Sequence, residues 1–344
     1  MASGGITRSR QVLVSSLQFS HAPCVPGQTP RAGLMAAAEN STVLAQAEQR
    51  ASVDAVAYPV IDAHQHFWDP RTNPLSALIG KYEPLRRRFL PSDLEPLLAV
   101  AGVSRTIAVQ ADSDTEDTLG LLKLLARHPF VAAVVGWIDP EQLDPSSAIS
   151  ALLAAPGAAA LVGIRLNARD NPDPDWLGGT RPSAAVKAIS AAGLVSEFLM
   201  RPENLQVALR LFAAPGIGTC VVDHLMTFPS DPAARSVWKR AISELARLPN
   251  VYLKISGFID DPAPAGWRPA AFQSAIDDVL EIWDAERLIF GTDWPVCTFA
   301  RSYLEIVKWT RSALGSLTAS QQAAILGMNA VRCYGLRVAE TPRP

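Results

Sequence analysis

Two histidines separated by one residue carry the strongest chemical signal in the chain. They are His64 and His66, in the run Val60-Ile61-Asp62-Ala63-His64-Gln65-His66-Phe67-Trp68. Val60-Ile61-Asp62-Ala63 reads as a buried strand. Side chains alternate along a strand, so residues i and i+2 leave on one side. Two imidazoles therefore leave one strand end together, as a chelate for a divalent metal or a paired polar grip on a substrate. A chance His-x-His on a polar loop is the competing reading. Asp62 is expected to orient backbone or a neighbouring group. The chain has five histidines, and a third, His224, also stands at a strand end.

Other polar residues close otherwise apolar runs. Arg165 stands in Val162-Gly163-Ile164-Arg165-Leu166, and Glu197 in Val195-Ser196-Glu197-Phe198-Leu199, followed by Arg201. Asp223-His224, Lys254 in Leu253-Lys254-Ile255, and Asp293 in Gly291-Thr292-Asp293-Trp294 complete the set. An unpaired buried charge is costly, so such placement points to a shared site. Each residue has a plainer alternative. His224 would serve as a bonded core histidine, Asp293 as a turn cap, Arg165 and Glu197 as an ion pair, and Lys254 as a side chain reaching solvent. Trp68 and Trp294 read as pocket walls or as loop packing. Cys297 has no neighbouring histidine to activate it as a nucleophile.

The elements that must position these groups alternate. Strands are expected at Val60–Ala63, Thr106–Gln110, Val131–Trp137, Leu161–Leu166, Leu194–Leu199, Gly218–Asp223, Val251–Ile255 and Leu288–Gly291. Several are nearly all apolar, as in parallel strands covered on both faces. Capping boxes are expected at Ser92-Asp93-Leu94-Glu95 and Ser113-Asp114-Thr115-Glu116, each ahead of a Leu-rich period. Pro202-Glu203 opens a further helix. Gly102, Gly193 and Gly216 read as helix stops. The pattern implies an α/β protein, a single (β/α)8 TIM barrel. No G-x-G-x-x-G follows a strand, which disfavours a Rossmann sheet. The long loop Asn167–Thr180 is expected to cover the barrel mouth.

The chain has 344 residues, 49% hydrophobic and 19% charged, enough for one large core. A net charge of −2 and a pI near 6.2 point to neither nucleic acid nor a membrane surface as partner. The apolar runs are too short to span a bilayer. Cys24, Cys220, Cys297 and Cys333 are scattered without a CxxC, which suits a reducing, cytoplasmic location. Residues 1–57 are rich in Ser, Ala, Gly and Gln without a sustained apolar period. They read as a disordered N-terminal extension or as sequence upstream of a start at Met35, with the barrel domain at 58–344. Arg8, Arg10 and Val12-Leu13-Val14 resemble a signal peptide faintly, but Ser15, Ser16 and Gln18 break the apolar core.

From about Val60 to Leu336 the chain resembles the amidohydrolase superfamily, in its sugar-lactone and dicarboxylate-lactone hydrolase branch. The resemblance rests on Ile61-Asp62-Ala63-His64-Gln65-His66-Phe67-Trp68, Val162-Gly163-Ile164-Arg165, Val222-Asp223-His224-Leu225, Lys254-Ile255-Ser256-Gly257, and Phe290-Gly291-Thr292-Asp293-Trp294-Pro295. It implies a catalytic centre of His64, His66, His224 and Asp293. Those four are also the expected ligands of one divalent metal, zinc. The branch includes members that work without a metal, so both forms stay open. Leu166, and Met226-Thr227-Phe228-Pro229 after Leu225, depart from the branch pattern, so a sugar lactone is not assumed. The implied reaction opens a small lactone. Asp293 is general base, the histidines stabilise the oxyanion, and Arg165 and Arg201 take a substrate carboxylate. Glu197, Lys254, Trp68 and Trp294 are the further expected substrate contacts. A homo-oligomer stays open. The alternatives are a metal-dependent non-oxidative decarboxylase of the same superfamily and a silent metabolite-binding barrel.

Overall fold

Eight short apolar runs pair side by side in chain order and all in parallel: β1 (Ile61–Gln65), β2 (Arg105–Val109), β3 (Val131–Gly136), β4 (Leu161–Asn167), β5 (Val195–Leu199), β6 (Cys220–Val222), β7 (Val251–Ile255) and β8 (Leu288–Phe290). The computed structural model describes residues 58–72, 80–229, 231–257 and 269–337. The expected extension over 1–57, with His21, Cys24 and Met35, lies outside the described residues. Just beyond β8 the chain returns to β1. Asp293 N–H donates to His64 O at 2.8 Å and His66 N–H to Trp294 O at 2.7 Å, which closes the barrel.

A helix follows each strand. They are α1 (Pro91–Ala101), α2 (Thr115–Leu125), α3 (Pro145–Leu153), α4 (Thr180–Ala191), α5 (Leu205–Phe212), α6 (Pro232–Ala246), α7 (Pro269–Ile282) and α8 (Tyr303–Ala313). Two helix starts differ from the sequence expectation. α1 begins at Pro91 with Leu90 as cap, and the Asp93 carboxylate accepts from Leu90 N–H at 2.8 Å. Proline at the first helical position draws the start forward, because its fixed φ suits that site and its missing N–H costs nothing. α2 is capped by Asp114, which accepts from Glu116 N–H at 3.0 Å, one residue beyond Ser113. Gly102, Gly193 and Gly216 take positive φ after helices, as expected.

Two apolar layers result. One lies between strands and helices. The other fills the barrel with Ile61, Ala63, Ile107, Val109, Ala133, Val135, Val195, Val221 and Ile289, joined by Ala330, Cys333 and Tyr334 from the C-terminal helix α9 (Asn329–Tyr334). Alternation from Ile61 and Ala63 would send His64 out of the barrel. Between Asp62 and Gln65, however, β1 gains one residue on β2. This bulge turns Ala63 and His64 to the same side, puts His66 inward and leaves Asp62 outward. Bulges re-aim side chains in this way beside active sites.

Candidate active site

The inward positions nearest the carboxyl ends of the strands form a polar layer above the apolar floor. His64 Nε2 lies 3.2 Å from His66 Nε2. Asp293 Oδ1 is 3.3 Å from His66 Nε2 and 3.7 Å from His64 Nε2. The His224 ring stands 4.5 Å from that of His64, centre to centre. All four residues are buried. The structure thus gathers His64, His66, His224 and Asp293 at one end of the barrel.

Strain is concentrated at two of them. Asp293 has φ 61°, and His224, Leu225, Met226 and Thr227 have φ between 52° and 56°. Left-handed backbone costs a non-glycine residue roughly 1–2 kcal/mol, so neighbours must hold it. Trp238 Nε1–H donates to Leu225 O at 2.6 Å, and the Thr227 hydroxyl to Met200 O at 2.9 Å. His224 Nδ1 meets the Ser256 hydroxyl at 2.8 Å. Gly257, at φ +67°, leaves room for the ring; a Cβ there would fall 2.3 Å from His224 Cγ. Strain held this way is typical of functional positions.

The partners fix several protons. Val109 O can only accept, so His66 Nδ1, 2.8 Å away, carries a hydrogen. Asp62 accepts from Thr292 N–H at 2.9 Å, Thr292 Oγ1–H at 2.6 Å and His64 N–H at 3.2 Å. It ties β1 to the β8 end and orients backbone at both, as expected. Burial outweighs these bonds and lifts the Asp62 carboxyl to about 6. Burial also holds His64 well below the usual imidazole range and lowers His224. For Asp293, burial alone would raise the carboxyl; charge on His224 and the His66 hydrogen bond outweigh it and hold the group far down. Burial, with Asp293 and Asp62 nearby, pushes the Cys297 thiol well up, so it is no ready nucleophile.

The remaining expected residues divide. Arg165 Nη2 donates to Gln110 O at 2.7 Å and Gln110 Oε1 at 3.0 Å, while Nη1 lies 3.4 Å from His64 Nε2. Lys254 and Glu197 are fully buried beneath His64, joined at 2.8 Å. Arg201 sits at the rim, its Nη2 3.5 Å from Asn171 O in the β4 loop. That loop is anchored by Trp176 Nε1–H to Glu141 at 2.5 Å and by Asn204 Nδ2–H to Pro174 O at 2.9 Å. The Trp68 ring is 6.3 Å from that of His66 and lines a neighbouring cavity of about 510 Å³ with Phe67, Asp112 and Leu121. Trp294 packs on Phe67 and Phe89.

Three residues of this layer escaped the sequence reading as site members, and a fourth, Asp223, was read only as part of the strand-end set beside His224. Asp223 Oδ1 is 3.4 Å from His64 Nδ1, and Asp223 forms a second metal-capable group with His64 and His224. Its adjacency to His224 was the available signal. Ser256, Gln110 and Tyr334 act through other side chains, and of these only Ser256 stands in a segment that carries the resemblance. The donor set fits a metal. Ligands ~2.0–2.1 Å from a tetrahedral zinc stand about 3.3–3.4 Å apart. The three separations among His64 Nε2, His66 Nε2 and Asp293 Oδ1 run from 3.2 to 3.7 Å.

This (β/α)8 barrel carries at one end a cluster of three histidines and a carboxylate that could hold a divalent metal. The amidohydrolase family model matches residues 61–336, and the chain belongs to that family. It is 36% identical over 256 residues to an L-fucono-1,5-lactonase of Burkholderia ambifaria, covering 72% of this chain and 84% of that protein. It is 31% identical over 290 residues to an L-fucono-1,5-lactonase of Burkholderia multivorans, covering 80% and 96%. Among solved structures it is similar to an amidohydrolase from Burkholderia multivorans with bound zinc. The TM-score is 0.75 at 28% identity, covering 81% of this chain and 100% of the other. Among the described residues, no helix is long and apolar enough to cross a membrane.

Proposed function

We propose that the protein hydrolyses the cyclic ester of a small lactone of the aldonolactone type, in the cytoplasm. The observation that carries this is the Asp293 carboxylate, held on left-handed backbone 3.3 Å from His66 Nε2 and beside His64. The similarity to two L-fucono-1,5-lactonases supports the substrate class.

Asp293 is ionised at every working pH and takes the proton of a water aimed at the lactone carbonyl. The oxyanion that develops on the carbonyl meets N–H groups of the histidine cluster, with the Arg165 guanidinium next to His64. When the ring C–O bond breaks, Asp293 returns its proton to the leaving alkoxide, giving the hydroxy acid. Arg201 at the rim, with Trp68 and Trp294 in the walls, would orient the sugar or a substrate carboxylate. A divalent metal on His64, His66 and Asp293, with His224 alongside, would supply Lewis acidity at the carbonyl.

The test is a pH-indicator screen of aldono- and dicarboxylate lactones, with Asp293→Asn as control. Acid release from a lactone is expected in the wild type, and kcat is expected to fall ~10²–10⁴-fold in the variant. Near-normal kcat in Asp293→Asn would remove the base assignment. Release of CO₂ from an aromatic acid, with no lactone opened, would transfer the site to a decarboxylase.

A further inference from the structure

β6 pairs in unbroken register with β5 and β7, so its side chains alternate. Val221 faces the barrel interior, and Cys220 and Val222 face the helices. Asp223 is still extended, at φ −74° and ψ 152°. It faces inward again, with Oδ1 3.2 Å from Lys254 Nζ. Continued alternation would turn His224 toward the helices. Its ring instead stands inside, 4.5 Å from that of His64. Two successive residues thus enter the barrel from one strand end, and β6 has no bulge of the kind that serves β1.

The backbone supplies the reversal. His224, Leu225, Met226 and Thr227 form one continuous left-handed turn, with φ between 52° and 56°. Met226 N–H donates to Asp223 O across it at 2.9 Å. L residues visit this region singly rather than in runs, and a β-branched residue such as Thr227 is a marked outlier there. A run of this kind persists only where its surroundings over-determine it. Two donors act on it across other elements. Trp238, fully buried on α6, gives its indole N–H to Leu225 O at 2.6 Å. The Phe228 ring packs on the Trp238 ring, 4.7 Å between centres. Leu225 is itself fully buried, so its carbonyl has no water to turn to if the indole N–H is lost. At the far end of the turn, the Thr227 hydroxyl donates to Met200 O just past β5, at 2.9 Å. Ser256 and Gly257 shape the place where the imidazole arrives, whereas Trp238 and Thr227 hold the backbone that brings it there.

We propose that this left-handed turn is the device that aims His224 into the barrel beside Asp223, and that Trp238 and Thr227 are the positioning residues that latch it. Released, the turn relaxes toward ordinary backbone, and the His224 side chain swings out of line with His64 and Ser256. The proposal rests on the lactonase reading only in taking His224 as a site residue.

Trp238→Phe tests it, because it keeps a ring in the slot and removes the N–H. A crystal structure of the variant is expected to show the turn unwound at Leu225 and Met226, with the His224 ring displaced from Ser256 by about 1 Å or more. A turn with unchanged φ overturns the proposal. In the lactone assay, kcat per folded molecule is expected to fall about 10²-fold, the scale for a group misplaced by about 1 Å, with KM close to wild type. A role confined to stability would lower Tm and leave kcat of the folded enzyme intact, and that result also overturns the proposal. Should Trp238→Phe not fold, Thr227→Val decides, since it keeps the shape and deletes only the hydroxyl. The same displacement is expected, with kcat down about 10-fold, the scale of one neutral hydrogen bond; wild-type φ and kcat overturn the proposal. The crystal structures need no turnover, so a lactone screen without a hit would sink the functional reading and leave this one to be judged on the turn.

Discussion

Gly257→Ala tests the placement of His224 without touching a titratable group. An alanine Cβ would stand 2.3 Å from His224 Cγ, 2.4 Å from Nδ1 and 2.5 Å from Cβ. Carbon pairs rest at ~3.5–4.0 Å, so the imidazole must retreat by about 1 Å or the β7 end must move. Misplacing a reacting group by about 1 Å can cost ~10²-fold in rate. Retreat also stretches the bond to Ser256, now 2.8 Å. Gly257 has φ +67°, which adds roughly 1–2 kcal/mol of strain for any L side chain. Steady-state kinetics of lactone opening are expected to show kcat/KM down by about two orders of magnitude, with a Tm lower by a few degrees. A variant with lowered Tm but wild-type kcat/KM would refute the claim that His224 must sit where this glycine allows.

Three further outcomes are expected. Asp293→Asn should lose kcat while its Tm stays close to wild type, since the amide keeps the shape of the carboxylate and an acceptor oxygen. Ser256→Ala leaves the buried His224 Nδ1 without its partner, so stability should fall by about 1–3 kcal/mol, with kcat/KM falling in step as the ring loosens. Asp62 titrates in the folded protein at about 6, above its unfolded value, so the fold binds the extra proton. Its stabilising contribution is complete below about pH 4 and is lost as pH rises through 6, a difference of roughly 3 kcal/mol. Asp62→Asn removes that loss, so its Tm relative to wild type should climb between pH 4 and 7; a constant offset would contradict the burial argument.

The four central side chains were legible because a charged or imidazole group at the end of an apolar strand is rare and costly. Position relative to the strand end sufficed to bring His64, His66, His224 and Asp293 together. The way His64 reaches the interior was not legible. The bulge arises from the pairing of β1 with β2, and a single strand carries no mark of its partner's register. The helix starts at Leu90 and Asp114 were missed because proline at the first helical position and a competing aspartate outrank the nominal serine caps. Lys254 and Glu197 read as substrate contacts from their strands alone. Only Tyr334, 137 residues beyond Glu197, reveals that they face the barrel floor as well as His64.

The Lys254, Glu197, Asp223 and Tyr334 network is poor ground for stability. Burial lifts Glu197 to about 7 even beside Lys254, whereas Lys254 and His64 hold Asp223 well down despite its burial. Desolvating two carboxylates and an ammonium can cost more than their attraction returns, and apolar replacements of equal volume are often neutral or stabilising. A barrel filled throughout like its lower layer, with valine, isoleucine and alanine, would close without them. What an apolar interior could not do is set an ammonium and a carboxylate against the His64 ring. The charges are therefore best explained by what they impose on His64, and the fold bears their desolvation for the sake of the site above.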